Sequence, residues 1–316
     1  MLVVRHEVLP QRWVVRSGIR WLFGIGACAL FISLAQGQVT RDLSKVEVKT
    51  HKITDNFHVL DFGGQGSSVG VLTGQDGVLM IDAQFAPLGP KIEAAIKQLS
   101  SQPIRYVINT HVHGDHTGGN EYFARLGATI VAHQQVRASM MQRKPPVADA
   151  ALPRIVYDSN LTLNINGQDI RLIAIPRAHT NGDTLVHFPG LDIIVAGDLF
   201  RPTPYPHIDL ASGGTLQGNI DGLDTLIKLS GPDTRIIAGH GGPISDRATV
   251  ITQRQLMLTV RDRVAALIAQ GKSEQEVLAA RVTEGLDPKV PQSDITVDRF
   301  VREVYADLKG DTKVAH

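Results

Sequence analysis

The sequence predicts an α/β fold in which two β-sheets pack together with helices outside them. Apolar runs of strand length dominate each half of the chain, and helical stretches punctuate both halves. Glycine, asparagine and proline signals separate the segments, and no short repeat is evident. The 316 residues suffice for one large domain or two modest ones.

In the first half, Phe57–Leu60, Ser68–Leu72 and Val78–Ile81 read as strands. The flexible loop Gly63–Ser67 joins the first two, and no helix opens after it, which excludes a dinucleotide-binding fingerprint. Gly74-Gln75-Asp76-Gly77 is a turn. Pro87–Leu99 is helical, with Ile92, Ala95, Ile96 and Leu99 on one stripe. Ile104–Ile108 is a buried strand. A helix over about 119–126, a strand over 129–132 and a helix near 134–141 follow, the last broken by Arg143-Lys144-Pro145-Pro146.

The second half continues with Leu161–Ile165 and Ile170–Ile175 around the hairpin turn Asn166-Gly167. Thr184–Phe188, Ile193–Ala196 and Arg235–Ala238 are strands, and 216–229 is a helix. From about Ser245 the pattern is helical, with Ser273 and Glu276 forming a capping box.

The N-terminus differs. Arg5, Arg12, Arg16 and Arg20 precede a 15-residue apolar run from Trp21 to Ala35, short for a membrane span and suited to the core of a signal peptide. Small residues at Ser33, Ala35 and Gly37 suit cleavage, so 1–37 is expected to be an export signal rather than a retained anchor. The apolar run continues past Cys28, which argues against lipidation. The mature chain is expected to be periplasmic or secreted, without cysteine and without a stable membrane anchor. Apolar residues at 43% and charged residues at 20% fit a soluble globular domain. The net charge of +1 gives no reason to expect nucleic acid as a partner.

The chemistry concentrates in His111-Val112-His113-Gly114-Asp115-His116, directly after a strand. Alternate residues of an extended segment point the same way, so His111 and His113 can reach one ion together. The turn into a helix swings Asp115 and His116 toward a second. Three histidines suit a zinc ion that keeps one position for water. His179, Asp198 and His240 each follow a strand and lie near glycine, the same local design three times. His6, His51, His58, His133, His187 and His316 read as solvated or helix-end residues, and His207 is ambiguous.

His-x-His-x-Asp-His with later His, Asp and His at strand ends resembles the metallo-β-lactamase superfamily, over roughly Val46–Ser245. The resemblance implies a four-layer αβ/βα sandwich over 46–245, a helical extension over 246–316 and a site for two Zn(2+). It implies that His111, His113 and His179 bind the first metal. Asp115, His116 and His240 would bind the second, and Asp198 would bridge them. Asp115 would also orient the nucleophile. Relatives with paired irons carry Glu where this chain has His113, and the well-known di-zinc lactamases carry Cys where it has Asp198.

Arg201 stands where those lactamases place a carboxylate-holding lysine, and Asn219 where they place an asparagine near the scissile carbonyl. Asp82 and Asp183 are candidates to orient the ligand histidines. Gly63–Ser67 is a candidate mobile loop over the site. The expected activity is zinc-dependent hydrolysis, by a metal-generated hydroxide, of an ester, lactone, thioester or β-lactam in a small carbonyl substrate. The alternatives are a β-lactamase proper and an iron-dependent oxidoreductase of the same fold.

Overall fold

In the computed structural model, residues 42–203, 205–286 and 294–310 are described. The expected export signal 1–37 lies outside them, as do His6, Cys28 and His316.

Seven strands form the first sheet: β1 (Lys49–Lys52), β2 (Phe57–Asp61), β3 (Val69–Leu72), β4 (Val78–Ile81), β5 (Ile104–Asn109), β6 (Thr129–His133) and β7 (Ile155–Tyr157), in that spatial order. The first four run antiparallel, and β4 to β7 are parallel. The second sheet has the order β12-β11-β10-β9-β8, from β8 (Asn160–Ile165), β9 (Gln168–Ile175), β10 (Asp183–Phe188), β11 (Ile193–Gly197) and β12 (Arg235–Ala238). Only β11 and β12 are parallel there.

The helices between strands are α1 (Gly89–Leu99), α2 (Gly114–Thr117), α3 (Asn120–Arg125), α4 (Gln134–Met141) and α5 (Leu216–Leu229). Three more follow β12: α6 (Arg247–Ala269), α7 (Glu274–Ala279) and α8 (Asp294–Lys309).

Alternation along the strands builds three cores. Within β4, Val78 and Met80 face the cluster that holds Ile92 and Ile96 of α1 and Phe123 of α3. Leu79 and Ile81 point the other way, into the inter-sheet core with Val186, Phe188 and Val195. In β11 the same division sends Ile193 and Val195 inward and Ile194 and Ala196 outward. A strand buried on both faces must be apolar at every position, which is why these strands read as continuous runs. The result is the expected four-layer αβ/βα sandwich with its C-terminal helices.

Helices α6, α7 and α8 supply part of the outer core of the second sheet. Val250, Met257 and Val260 of α6, Val277 of α7 and Phe300, Val301 and Val304 of α8 share a cluster with Leu185, Ile194 and Ile236. Phe300 stacks on Tyr205 at 5.7 Å between ring centroids. Asp246 caps α6, and Ser273 with Glu276 forms the expected capping box of α7. The exposed strand β1 lacks an apolar pattern and the edge strand β7 is only three residues long, and neither was expected.

His58 and His187 are buried within strands, not solvated, whereas His133, also buried, is a helix-end residue as expected. His133 accepts from the Gln135 amide and so caps α4. Burial pushes His58 and His187 below the ordinary histidine range, and the Nδ1 of each lacks a hydrogen-bond partner.

Phe300→Ala is expected to cost about 3–5 kcal/mol of unfolding free energy by denaturant titration, the usual result of emptying a buried aromatic site. His58 and His187 resist protonation when folded and accept it when unfolded. Their contribution to stability is therefore present above the ordinary histidine pKa of about 6.5 and falls as pH drops below it. The pair His58→Gln and His187→Gln should flatten the loss of unfolding free energy between about pH 7 and pH 5.

Candidate metal centre

The parallel pairing of β4 with β5 sets Ile81 beside Ile108, so the chain leaves both strands at the same end of the sheet. Asp82 emerges from β4 in the left-handed region, at φ 66°, with its amide donating to the Ile108 carbonyl at 2.7 Å. Its carboxylate accepts from the Thr110 amide at 2.7 Å and the Thr110 hydroxyl at 2.8 Å. The 111–116 loop then closes into α2, held from below by Asn109, whose side-chain amide donates to the His116 carbonyl at 2.9 Å. Arg143, beyond the end of α4, reaches back to the Val112 carbonyl and the Thr117 hydroxyl.

The second sheet delivers the rest. β11 and β12 run parallel with Gly197 beside Ala238, which places Asp198 against Gly239 and His240. A Cβ at Gly239 would stand 2.0 Å from Asp198 Oδ1 and 3.1 Å from the His116 ring, so only glycine leaves room for that carboxylate. His179 lies between β9 and β10. Asp183 binds the backbone amide and hydroxyl of Thr180 at 2.8 and 2.7 Å. It shapes this loop and holds no histidine ring. Burial drives its carboxyl up to about 7, against these hydrogen bonds.

The seven expected ligands meet. His111 Nε2 and His179 Nε2 lie 3.1 and 3.0 Å from His113 Nδ1. Asp115 Oδ2 is 3.2 Å from His240 Nε2 and 3.9 Å from His116 Nε2. Asp198 sits between the two groups: Oδ1 is 3.3 Å from His116 Nε2, and Oδ2 is 3.3 Å from His240 Nε2 and 3.9 Å from His179 Nε2. The sets His111–His113–His179, His111–His116–Asp198 and Asp115–His116–His240 each bring three donors close enough to hold an ion.

The outer nitrogen of four histidines is engaged, which assigns the inner one. His116 Nδ1 donates to Asp82 at 2.7 Å, His113 Nε2 to Asp209 at 2.8 Å and His179 Nδ1 to the His207 carbonyl at 2.7 Å. The Thr110 hydroxyl spends its proton on Asp82 and so accepts from His111 Nδ1 at 3.1 Å. These contacts fix which nitrogen of each ring faces inward. Burial opposes charge on His116, but Asp82, Asp115 and Asp198 outweigh it and raise its pKa well above the ordinary histidine range, so a metal at that position must displace a proton.

These donors fit a metal. Tetrahedral zinc with Zn–N bonds of about 2.0–2.1 Å spaces its ligand nitrogens by about 3.3 Å, close to the separations above. His116 Nε2 and Asp198 Oδ1 are buried without a hydrogen-bond partner, as metal-directed atoms would be. Burial holds His111 and His179 well below the ordinary range and so keeps them neutral. Burial opposes the charge on Asp198, but His240, Arg201 and His116 outweigh it and hold the carboxyl well below its usual value. Partial burial opposes the charge on Asp115 too, but His116 and His240 bring it down to about 2.

A family model described as the metallo-beta-lactamase superfamily matches residues 62–241. The chain belongs to that superfamily. It is 25% identical over 162 residues to metallo-beta-lactamase type 2 of Elizabethkingia meningoseptica, covering 49% of this chain and 63% of that one. It is 26% identical over 129 residues to the 2,4-dinitroanisole O-demethylase subunit alpha of Nocardioides sp. (strain JS1661), covering 40% of this chain and 39% of that one. The chain thus matches less than two thirds of the length of either relative.

Among solved structures, a metallo-beta-lactamase from Pontibacter korlensis has the same fold, with a TM-score of 0.59 at 19% identity, covering 67% of this chain and 99% of that chain. A stereoselective inverting sec-alkylsulfatase from Pseudomonas sp. aligns with a TM-score of 0.64 at 15% identity, covering 83% of this chain and 50% of that chain.

Around the superfamily's histidine motif, several expectations are refined. Arg201 lies beside the cluster, its Nη1 3.9 Å from Asp198 Oδ2. Asn219 is 1% exposed in α5, with neither amide atom hydrogen-bonded. The loop Gly63–Ser67 is pinned at its far end. Ser67 donates to the Asp115 carbonyl, and the Ser68 amide donates to the Gly239 carbonyl at 2.8 Å. His207 is drawn in, its ring stacked on His113 at 6.1 Å. Asp209 was not anticipated, since nothing in its own neighbourhood marks it as a partner for a histidine 96 residues away.

Asp82→Asn should weaken zinc binding about 10–100-fold in a chelator competition, because it removes the charged acceptor that orients His116. Gly239→Ala should weaken it further by displacing Asp198; unchanged affinity would contradict the cradle at Gly239.

Proposed function

We propose that this chain is a di-zinc hydrolase that cleaves an ester, lactone, thioester or β-lactam bond in a small carbonyl substrate. The observation that carries this reading is the convergence of seven donors into two sets joined at Asp198. His111, His113 and His179 would hold the first ion and Asp115, His116 and His240 the second, with Asp198 facing both. When bound, the ions supply water activation near neutral pH and polarisation of a carbonyl.

The chain's own residues do the remainder. Asp198 directs Oδ1 toward His116 of one set and Oδ2 toward His179 of the other, at 3.3 and 3.9 Å, so a single carboxylate spans the two positions. Asp115 directs Oδ2 toward the second position and can orient the attacking water. His113, Asp115 and His240 remain 17–26% exposed while His111, His116 and His179 are buried, so substrate approaches over the first three. No serine or cysteine nucleophile is needed for this chemistry.

The names of the relatives support a bond-cleaving role and span several bonds. A β-lactamase proper is the second reading, favoured by the type 2 relative and by Arg201 in the position of a carboxylate anchor. Export through residues 1–37 is part of the proposal, and β-lactams are substrates met outside the cytoplasm.

The test is a panel of β-lactams, lactones, aryl esters and thioesters on the zinc-loaded protein. His113→Ala should abolish turnover and lower zinc content; retained activity would overturn the site. Arg201→Ala should raise KM for carboxylate-bearing substrates and spare neutral esters. An equal effect on both would remove the anchor role.

A further inference from the structure

Two of the three histidines of the first set lean on one short segment, and that segment leans on helix α8. The His207 carbonyl accepts from His179 Nδ1 at 2.7 Å, and the Asp209 amide donates back to the His179 carbonyl at 2.9 Å. Asp209 Oδ2 accepts from His113 Nε2 at 2.8 Å, and the His207 ring stacks on His113. Residues 207–209 belong to no strand or helix, so no regular ladder of backbone bonds holds them in place.

Glu303 supplies the hold. It is 2% exposed on α8 and presents a different oxygen to each of two neighbouring donors. Oε1 accepts from His207 Nδ1 at 2.6 Å, and Oε2 accepts from the Ile208 amide at 2.8 Å. Arg299 Nε, one turn earlier on the helix, lies 3.3 Å from Oε1 and offsets the buried charge. Phe300, Val301 and Val304 lock α8 into the core on either side of Glu303. The helix thus reaches the first set through two contacts in series, carboxylate to segment and segment to histidine. The second set takes its support elsewhere. His116 is held by Asp82, while Asp115 and His240 face each other at 3.2 Å.

We infer that Glu303 is a positioning residue for the first metal position, and that the C-terminal helix thereby sets the affinity of that position independently of the second. This role of Glu303 rests on the two-metal reading of the cluster, whichever bond is cleaved. A carboxylate offers only acceptors, and both of its oxygens here meet donors, one on a ring and one on the backbone. Glutamine at 303 keeps the volume and one acceptor but turns its amide NH2 group toward one of those donors. Two buried donors then oppose each other, and the segment must shift to relieve them. Such a shift carries His179 and His113 with it, and histidine ligands lose metal affinity when their outer partners move.

The test is zinc affinity by chelator competition in two backgrounds that each keep one set. His240→Ala retains His111, His113 and His179, and His113→Ala retains Asp115, His116 and His240. Adding Glu303→Gln should weaken zinc binding about ten-fold in the first background and leave the second unchanged. Val304→Ala, which opens the core beneath the same helix and leaves Glu303 in place, should lower the melting temperature without that preference. An equal loss in both backgrounds, or the same preference from Val304→Ala, would mark a purely structural role and overturn the positioning role. Unchanged affinity in the first background would also overturn it and leave the two-metal reading intact. A His240→Ala protein that binds no zinc would overturn both.

Discussion

Donors able to hold a metal, packed against one another, constrain everything around them. Five imidazoles and two carboxylates converge at one end of the sandwich, and most of their inward atoms have no proton to share. Such an arrangement is unfavourable in a protein interior unless cations occupy it or protons are drawn in. The surroundings favour cations. Asp82, Asp209, Thr110 and the His207 carbonyl occupy the outer nitrogens of four histidines and turn the inner ones toward the centre.

The rest of the fold serves that geometry. Parallel pairing of β4 with β5 and of β11 with β12 makes successive loops leave at the same sheet end, bringing Asp82 under the histidine loop and Asp198 beside Gly239. Apolar burial on both faces of β4 and β11 keeps those strands from slipping, since a one-residue shift would exchange their two cores. The C-terminal helices complete one core and, through Glu303, hold the segment that carries His207 and Asp209.

The sequence made the fold and the histidine–aspartate cluster legible because both depend on local signals. Strands such as Val78–Ile81 announce themselves by continuous hydrophobicity, and the ligands by histidine and aspartate beside glycine at strand ends. What supports the ligands was less visible. Asp209 and Glu303 reach the site across about a hundred residues, and no periodicity links them to His113 or His207. Asp82 was legible because it closes a strand next to the motif, whereas Asp183, equally close to a ligand, turned out to bind backbone. The burial of His58 and His187 was missed because a polar residue in a strand reads as solvent-facing, and here helices or a second sheet cover both faces.

The central claim is that this cluster is a two-metal centre. Its most direct test is the zinc content of the purified chain after metal stripping and reloading, read by atomic emission alongside anomalous diffraction at the zinc edge. The account predicts two ions per chain, one among His111, His113 and His179 and one among Asp115, His116 and His240, with density for Asp198 reaching both. A protein that retains no zinc, or whose zinc lies away from these residues, would contradict it.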